Sequence, residues 1–168
     1  MRGIRLLGIL IVLVLTAAAC GGGSSQTEME QQLQNGLTDE LTPAEVRAVT
    51  CPEDADLTPE SVFRCEATVE GSYCEVQVTI IDAQGRFEYE RRHAVLNVVK
   101  LEAELGADAT TALGFEVGTN CGDNEYLVVS IDNTFQCTLT RTANDAQRNI
   151  EVQVENANGG ISWTLLSS

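Results

Sequence analysis

Six cysteines, one histidine and 25 carboxylates are the side chains with which this chain of 168 residues could do chemistry. His93 follows Arg91 and Arg92, whose charges would lower its pKa at close range. The sequence sets no serine or cysteine nucleophile beside it, so its expected place is a helix surface, without a catalytic role. Glu53, Asp54, Asp56 and Glu60 offer hard oxygen ligands of the kind Ca²⁺ takes. That run lacks the glycine and the full D-x-D-x-D-G spacing of a calcium loop and reads as a solvated acidic loop. Asp123, Glu125 and Asp132 read the same way. No G-x-S-x-G, glycine-rich phosphate loop or H-E-x-x-H occurs, and zinc spacings are absent. Trp163, Phe87 and Tyr89 could line a groove, although an aromatic residue alternating on a terminal strand is more often core. The expectation is a protein that is not an enzyme and uses no metal or cofactor.

Before any fold reasoning, residues 1–19 are set aside as a leader. Arg2 and Arg5 form a charged start, Leu6 to Leu15 an apolar run, and Thr16-Ala17-Ala18-Ala19 the small residues that processing needs. The run is too short for a membrane span. Cys20 follows at once, then Gly21-Gly22-Gly23-Ser24-Ser25. This arrangement resembles the lipobox of bacterial lipoproteins, with Ala17 where a leucine is usual. The resemblance implies that the Cys20 thiol carries a diacylglyceryl group and becomes the new N-terminus. Two acyl chains anchor stably where one holds only marginally. Residues 20–26 then form the lipidated cysteine and a flexible tether. The expected location is the extracytoplasmic face of the cell membrane.

Charge agrees with that geography. Beyond the leader, eight cations face 25 carboxylates, a net charge of −17. Such a surface is repelled by anionic headgroups and by nucleic acid, and no basic patch invites the latter.

The elements that would position these residues come twice. Phe63-Arg64-Cys65 is followed by Glu75-Val76-Gln77-Val78, and Phe135-Gln136-Cys137 by Glu151-Val152-Gln153-Val154. Thr27-Glu28-Met29-Glu30 reads as a capping box. Met29, Leu33, Leu37 and Leu41 line one face of the helix it opens, with Gly36 weakening its middle and Pro43 just past its end. Phe63, Cys65, Ala67 and Val69 alternate inward on a strand. Gly71-Ser72 turns it, and Cys74, Val76, Val78 and Ile80 return. Ala83-Gln84-Gly85 turns again before Phe87 and Tyr89. The second helix is expected over Arg92 to Leu105, capped by Gly106. Then come strands through Phe115 and Val117, Tyr126 to Ile131, Phe135 to Leu139, Ile150 to Val154 and Ile161 to Leu165. The Asn144-Asp145 loop is four residues longer than its counterpart. The fold class is α+β: two tandem modules, 27–89 and 90–168, each one helix on an antiparallel sheet of about four strands.

Export permits disulfides. Five cysteines remain beyond Cys20, an odd number that leaves one thiol over. With Gly71-Ser72 as the turn, Val69 faces Cys74 and Cys65 faces Val78, which puts Cys65 and Cys74 beyond bridging distance. Cys65 is left for Cys51, and by the repeat Cys137 for Cys121. Cys74 is expected as the free thiol, and its inward phase favours a buried small hydrophobe over a redox or intermolecular cysteine, which would need exposure.

Together, the lipobox cysteine, a helix, Cys51-Pro52, Phe63-x-Cys65, the E-V-Q-V strand and a glycine-x-aromatic finish resemble actinobacterial lipoproteins carrying the domain of unknown function numbered 4333. The resemblance runs over nearly all of the mature chain as two copies. The second departs from it with Cys121-Gly122. A glycine usual shortly before F-x-C is replaced in both, by Glu60-Ser61 and Asp132-Asn133. The family implies two paired cysteines per domain and an exported location, and no activity. The function expected is binding of an envelope protein or other envelope component. The alternative is a carrier holding a small apolar ligand between helix and sheet.

Overall fold

The computed structural model describes residues 26–166. It is a mixed fold of two helices and three antiparallel sheets. Helix α1 (Gln26–Leu41) is followed by β1 (Val46–Thr50), β2 (Val62–Val69), β3 (Ser72–Ile80) and β4 (Phe87–Arg91), which pair in the order β1-β2-β3-β4. A short strand, β5 (His93–Asn97), leads into α2 (Val98–Leu113). There follow β6 (Val117–Asn120), β7 (Tyr126–Ser130), β8 (Thr134–Arg141), β9 (Gln147–Val154) and β10 (Ile161–Leu165). The second four-stranded sheet has the order β10-β9-β8-β6, and β5 pairs with β7 as a separate ribbon.

Helix α1 forms because Met29, Leu33 and Leu37 recur on one face, and all three are buried. The helix begins by Gln26, so Thr27 lies within it rather than capping it. Gly36 answers a packing demand: a Cβ there would lie 2.8 Å from the Tyr89 hydroxyl. Beyond the helix the Thr42–Pro43 bond is cis.

The first hairpin turns at Glu70-Gly71, not Gly71-Ser72. Both residues have positive φ, 49° and 74°, the combination that a two-residue type I′ turn requires. The ladder therefore pairs Val69 with Ser72, Ala67 with Cys74 and Cys65 with Val76. The sequence register is off by two residues, an even slip that leaves every inward side chain inward. Cys65, Ala67, Val69, Cys74, Val76, Val78 and Ile80 are all buried. On β1 a bulge between Val46 and Ala48 turns Val49 inward and leaves Ala48 exposed.

The helix expected over Arg92 to Leu105 is displaced. His93–Asn97 is strand β5, laid antiparallel on β7, because a short apolar run with β-branched members suits either element and a strand partner decides. Helix α2 starts after Asn97, whose Oδ1 accepts from the Lys100 N–H at 3.0 Å. It ends at Gly114, left-handed at φ 74°, whose N–H bonds the Thr110 carbonyl. Gly106 lies inside the helix, close to Thr119 and Val117 on β6.

Two hydrophobic clusters result. One joins α1 with β1, β2 and β3; the other joins α2 with β6, β8 and β9. The β5–β7 ribbon serves both. Val95, Tyr126 and Val128 pack on the first cluster, while Ala94, Leu96, Leu127 and Val129 belong to or pack on the second. Strand alternation does this: successive side chains of one strand enter opposite cores.

Candidate functional site

Disulfides join Cys51 to Cys65 and Cys121 to Cys137, with Cα–Cα distances of 4.2 and 4.3 Å. Each bridge is tied to a helix by a carboxylate. Glu30 Oε1 accepts from the Cys51 N–H at 2.7 Å, and Glu102 Oε1 accepts from the Cys121 N–H at 2.7 Å. Glu30, expected to serve the capping box, spans α1 to its bridge instead. The only sequence signal for this was a glutamate at corresponding places in the two helices.

Cys74 is the free cysteine among the described residues, and it is buried. Cys65 and Cys74 are diagonal neighbours across β2 and β3, closer than the sequence register implied. Burial pushes the Cys74 thiol up to about 11, with Arg91 pulling the other way. At neutral pH it is almost entirely protonated and therefore a poor nucleophile.

His93 is not on a helix surface. It sits on β5, 8% exposed, with Tyr73 edge-on at 5.5 Å. The fold also places a serine beside it: Ser130 Oγ lies 2.8 Å from Nε2. The other ring nitrogen decides what this pair can do. Nδ1 accepts the Glu75 backbone N–H at 3.1 Å, so Nδ1 carries no proton and Nε2 does. The imidazole then donates to Ser130, the reverse of the arrangement in which a histidine base takes a serine proton. Burial holds its pKa below the usual histidine range, with the Glu75 carboxylate opposing.

Arg91 is the second buried polar residue. Its Nε and Nη2 reach Glu40 Oε1 of α1 at 3.1 and 2.8 Å, and its Nη1 donates to the His93 carbonyl at 3.2 Å. This pairing supplies the partner that a buried guanidinium needs. Neither Glu40 nor Ser130 stands out in the sequence, because both come to the site only when β4 and β5 fold against distant elements.

The acidic candidates stay apart. Asp56 accepts the Thr58 N–H at 3.0 Å in its own loop, which holds its carboxyl below the usual range. Glu60 and Asp132 occupy left-handed backbone positions, φ 69° and 67°. Among the described residues no three His, Cys, Asp or Glu side chains converge as a metal site requires. Phe87 and Tyr89 pack on the first cluster and Trp163 on the second, where its Nε1 donates to Asp108 Oδ2 at 2.8 Å. Cys20 lies outside the described residues, and among those described no helix is long and apolar enough to cross a membrane.

A groove of about 500 Å³ opens where the two cores meet. Glu40 from the end of α1, Pro43 just beyond it, Arg91, Asn97, Lys100 and Tyr126 line it, with Asn158 from the turn before β10. Its walls mix charged groups of both signs with amide and apolar ones, and ligand sites favour the junctions of structural units.

No curated protein and no solved structure matches the chain. The model of the family described as Domain of unknown function (DUF4333) matches residues 9–85, a span that takes in Cys20, α1, the Cys51–Cys65 bridge, β2 and β3.

Proposed function

We propose that this is a cell-envelope lipoprotein of two related helix-on-sheet units, held at the extracytoplasmic face of the membrane by lipid on Cys20. It binds an envelope partner without catalysis. The groove at the junction of the units carries this reading. It draws residues from α1, the ribbon, α2 and the loop before β10. The histidine tautomer and the high thiol pKa speak against a nucleophile at the same junction.

Relatedness of the units is supported by matched details. Besides the glutamate-to-cysteine bonds, Glu60-Ser61 bonds the backbone of Ile80 as Asp132-Asn133 bonds that of Val154. Glu60 N–H goes to the Ile80 carbonyl and Ile80 N–H to Ser61; Asp132 N–H goes to Val154 and Val154 N–H to Asn133. Glu60 and Asp132 are both left-handed, at the neighbourhood where the family glycine is expected.

Photo-crosslinking in intact envelope tests the binding surface. A photoreactive residue at Asn158 or Lys100 should give a defined crosslinked species, and one at the exposed Glu88 should not. Equal yields at both places would contradict the groove. Cys20→Ala tests the anchor: the protein should be released or left unprocessed, and normal membrane retention would refute lipidation.

A further inference from the structure

We infer, on the reading that the groove is the binding surface, that it takes an extended segment of a partner protein, added along the outer edge of β5 as a third strand of the ribbon. An antiparallel ladder bonds alternate residues of a strand to a given neighbour. Val98 N–H goes to the Glu125 carbonyl and Ile131 N–H to the Arg92 carbonyl. With the register of β5 on β7, the residues whose backbone groups face β7 are therefore Arg92, Ala94, Leu96 and Val98. The N–H and C=O of His93, Val95 and Asn97 point the other way, and among the described residues β5 pairs with no second strand. Arg91 Nη1 takes the His93 carbonyl, which closes this edge at one end, and α2 begins after Asn97 at the other. Between them lies Val95, whose N–H and C=O together match one residue of an added antiparallel strand.

The edge lies in a recess. Two hollows, of about 500 and 300 Å³, share Val95, Asn97, Lys100 and Asn158. Val128, paired with Val95 and turned outward on β7 by the same alternation, lines neither of them. Open space thus adjoins the β5 side of the ribbon, between the end of α1 and the turn before β10.

The lining chooses the occupant. Its charges are engaged with one another, Arg91 with Glu40 at 2.8 Å and Lys100 with Glu104 at 3.8 Å. They call for no ion, whereas an uncharged main chain brings the donors and acceptors that a strand edge lacks. A second copy of this chain fits poorly, because β5 of one molecule, sunk in its own groove, does not reach β5 of another. Leu41, Pro43 and Tyr126 give the larger hollow an apolar wall, while Asn158, Gly159 and Gly160 give the smaller one a polar wall. Successive side chains of an added strand face opposite ways, so the segment alternates apolar and polar residues.

The test pans a phage library of random linear octapeptides against the full chain in phospholipid nanodiscs, then titrates the recovered peptides in synthetic form. They should alternate apolar and polar residues. N-methylation at every second residue along one edge of a peptide should weaken binding by about tenfold or more, while the other edge tolerates it. Replacing the Val95 N–H by an ester oxygen, with α-hydroxyvaline at that position, should also weaken binding by about tenfold. The same replacement at Val128 should not, and both proteins should melt as the unaltered chain does. Peptides indifferent to methylation on either edge, or to the Val95 ester, would overturn strand addition and leave the groove to a partner that reads side chains alone. Recovery of no peptide would overturn it too. The photo-crosslinks from Asn158 and Lys100 decide the groove separately, so a defined crosslink without an edge-dependent peptide would sink the strand and spare the groove.

Discussion

His93 shows how one hydrogen bond can settle a residue's chemistry. With Nδ1 committed to the Glu75 N–H, a second ring proton has no acceptor at that nitrogen. The folded state therefore takes up a proton at lower pH than the unfolded chain, in line with its burial. A histidine with a depressed folded pKa contributes stability that is complete above the unfolded pKa, near 6.5, and is lost as pH falls from there toward the folded value. Urea midpoints should thus drop between about pH 7 and pH 5. The drop should be smaller in His93→Gln, which does not titrate; an identical drop would show that carboxylates alone cause it. Cys74 offers a parallel check. A thiol pushed up to about 11 and buried should resist iodoacetamide at pH 8 in the folded protein and react after denaturation. Labelling at equal rates in both states would show it to be accessible. In the sequence, inward alternation was enough to place Cys74. His93 was misplaced because its burial depends on Ser130 and Tyr73, which lie on other strands.

At the scale of elements, the strands were legible wherever apolar residues alternated, as on β2, β3, β8 and β9. What the alternation could not carry was register and type. A two-residue slip of the first hairpin keeps the same faces, so only the backbone of Glu70-Gly71 distinguishes the two registers. The His93–Asn97 run is strand because β7 is there to pair with it, information held about 30 residues downstream in the sequence. Glycines were ambiguous in the same way. Gly36 reads as a weak point in a helix, and in an open helix Ala there would gain about 1 kcal/mol. Against Tyr89 the gain reverses, since the new Cβ would lie 2.8 Å from the hydroxyl. Gly36→Ala should lower stability by about 1–3 kcal/mol, and adding Tyr89→Phe should recover part of that. A stabilised single variant in thermal melts would show that the ring moves aside freely. Glu60 and Asp132 present the opposite case, side chains at left-handed backbone positions. Glu60→Gly should stabilise by roughly 0.5–1 kcal/mol, and Asp132→Gly by less, because aspartate tolerates that region better.

Over the whole molecule, the β5–β7 ribbon changes what two sheets and two bridges amount to. Val128 packs on one core and its neighbours Leu127 and Val129 on the other, so neither core can lose the ribbon without exposing apolar surface of both. Arg91 adds a polar tie, holding Glu40 of α1 and the His93 carbonyl on the ribbon at once. A chain of two independent modules would respond locally to damage; this arrangement couples them. Removal of the Cys121–Cys137 bridge tests the difference. The closed segment spans 16 residues of separation, for which chain entropy gives a loss of about 3 kcal/mol, a large share of what a small unit's core supplies. In the Cys121→Ser, Cys137→Ser variant, hydrogen exchange should accelerate at the β8 and β9 amides. It should also accelerate at the amides of β2 and β3, although their own bridge is intact, with the Val76 and Val78 amides as the reporters. Unchanged protection there, beside lost protection in the second sheet, would mean that the ribbon transmits nothing and that the two cores fold as separate units.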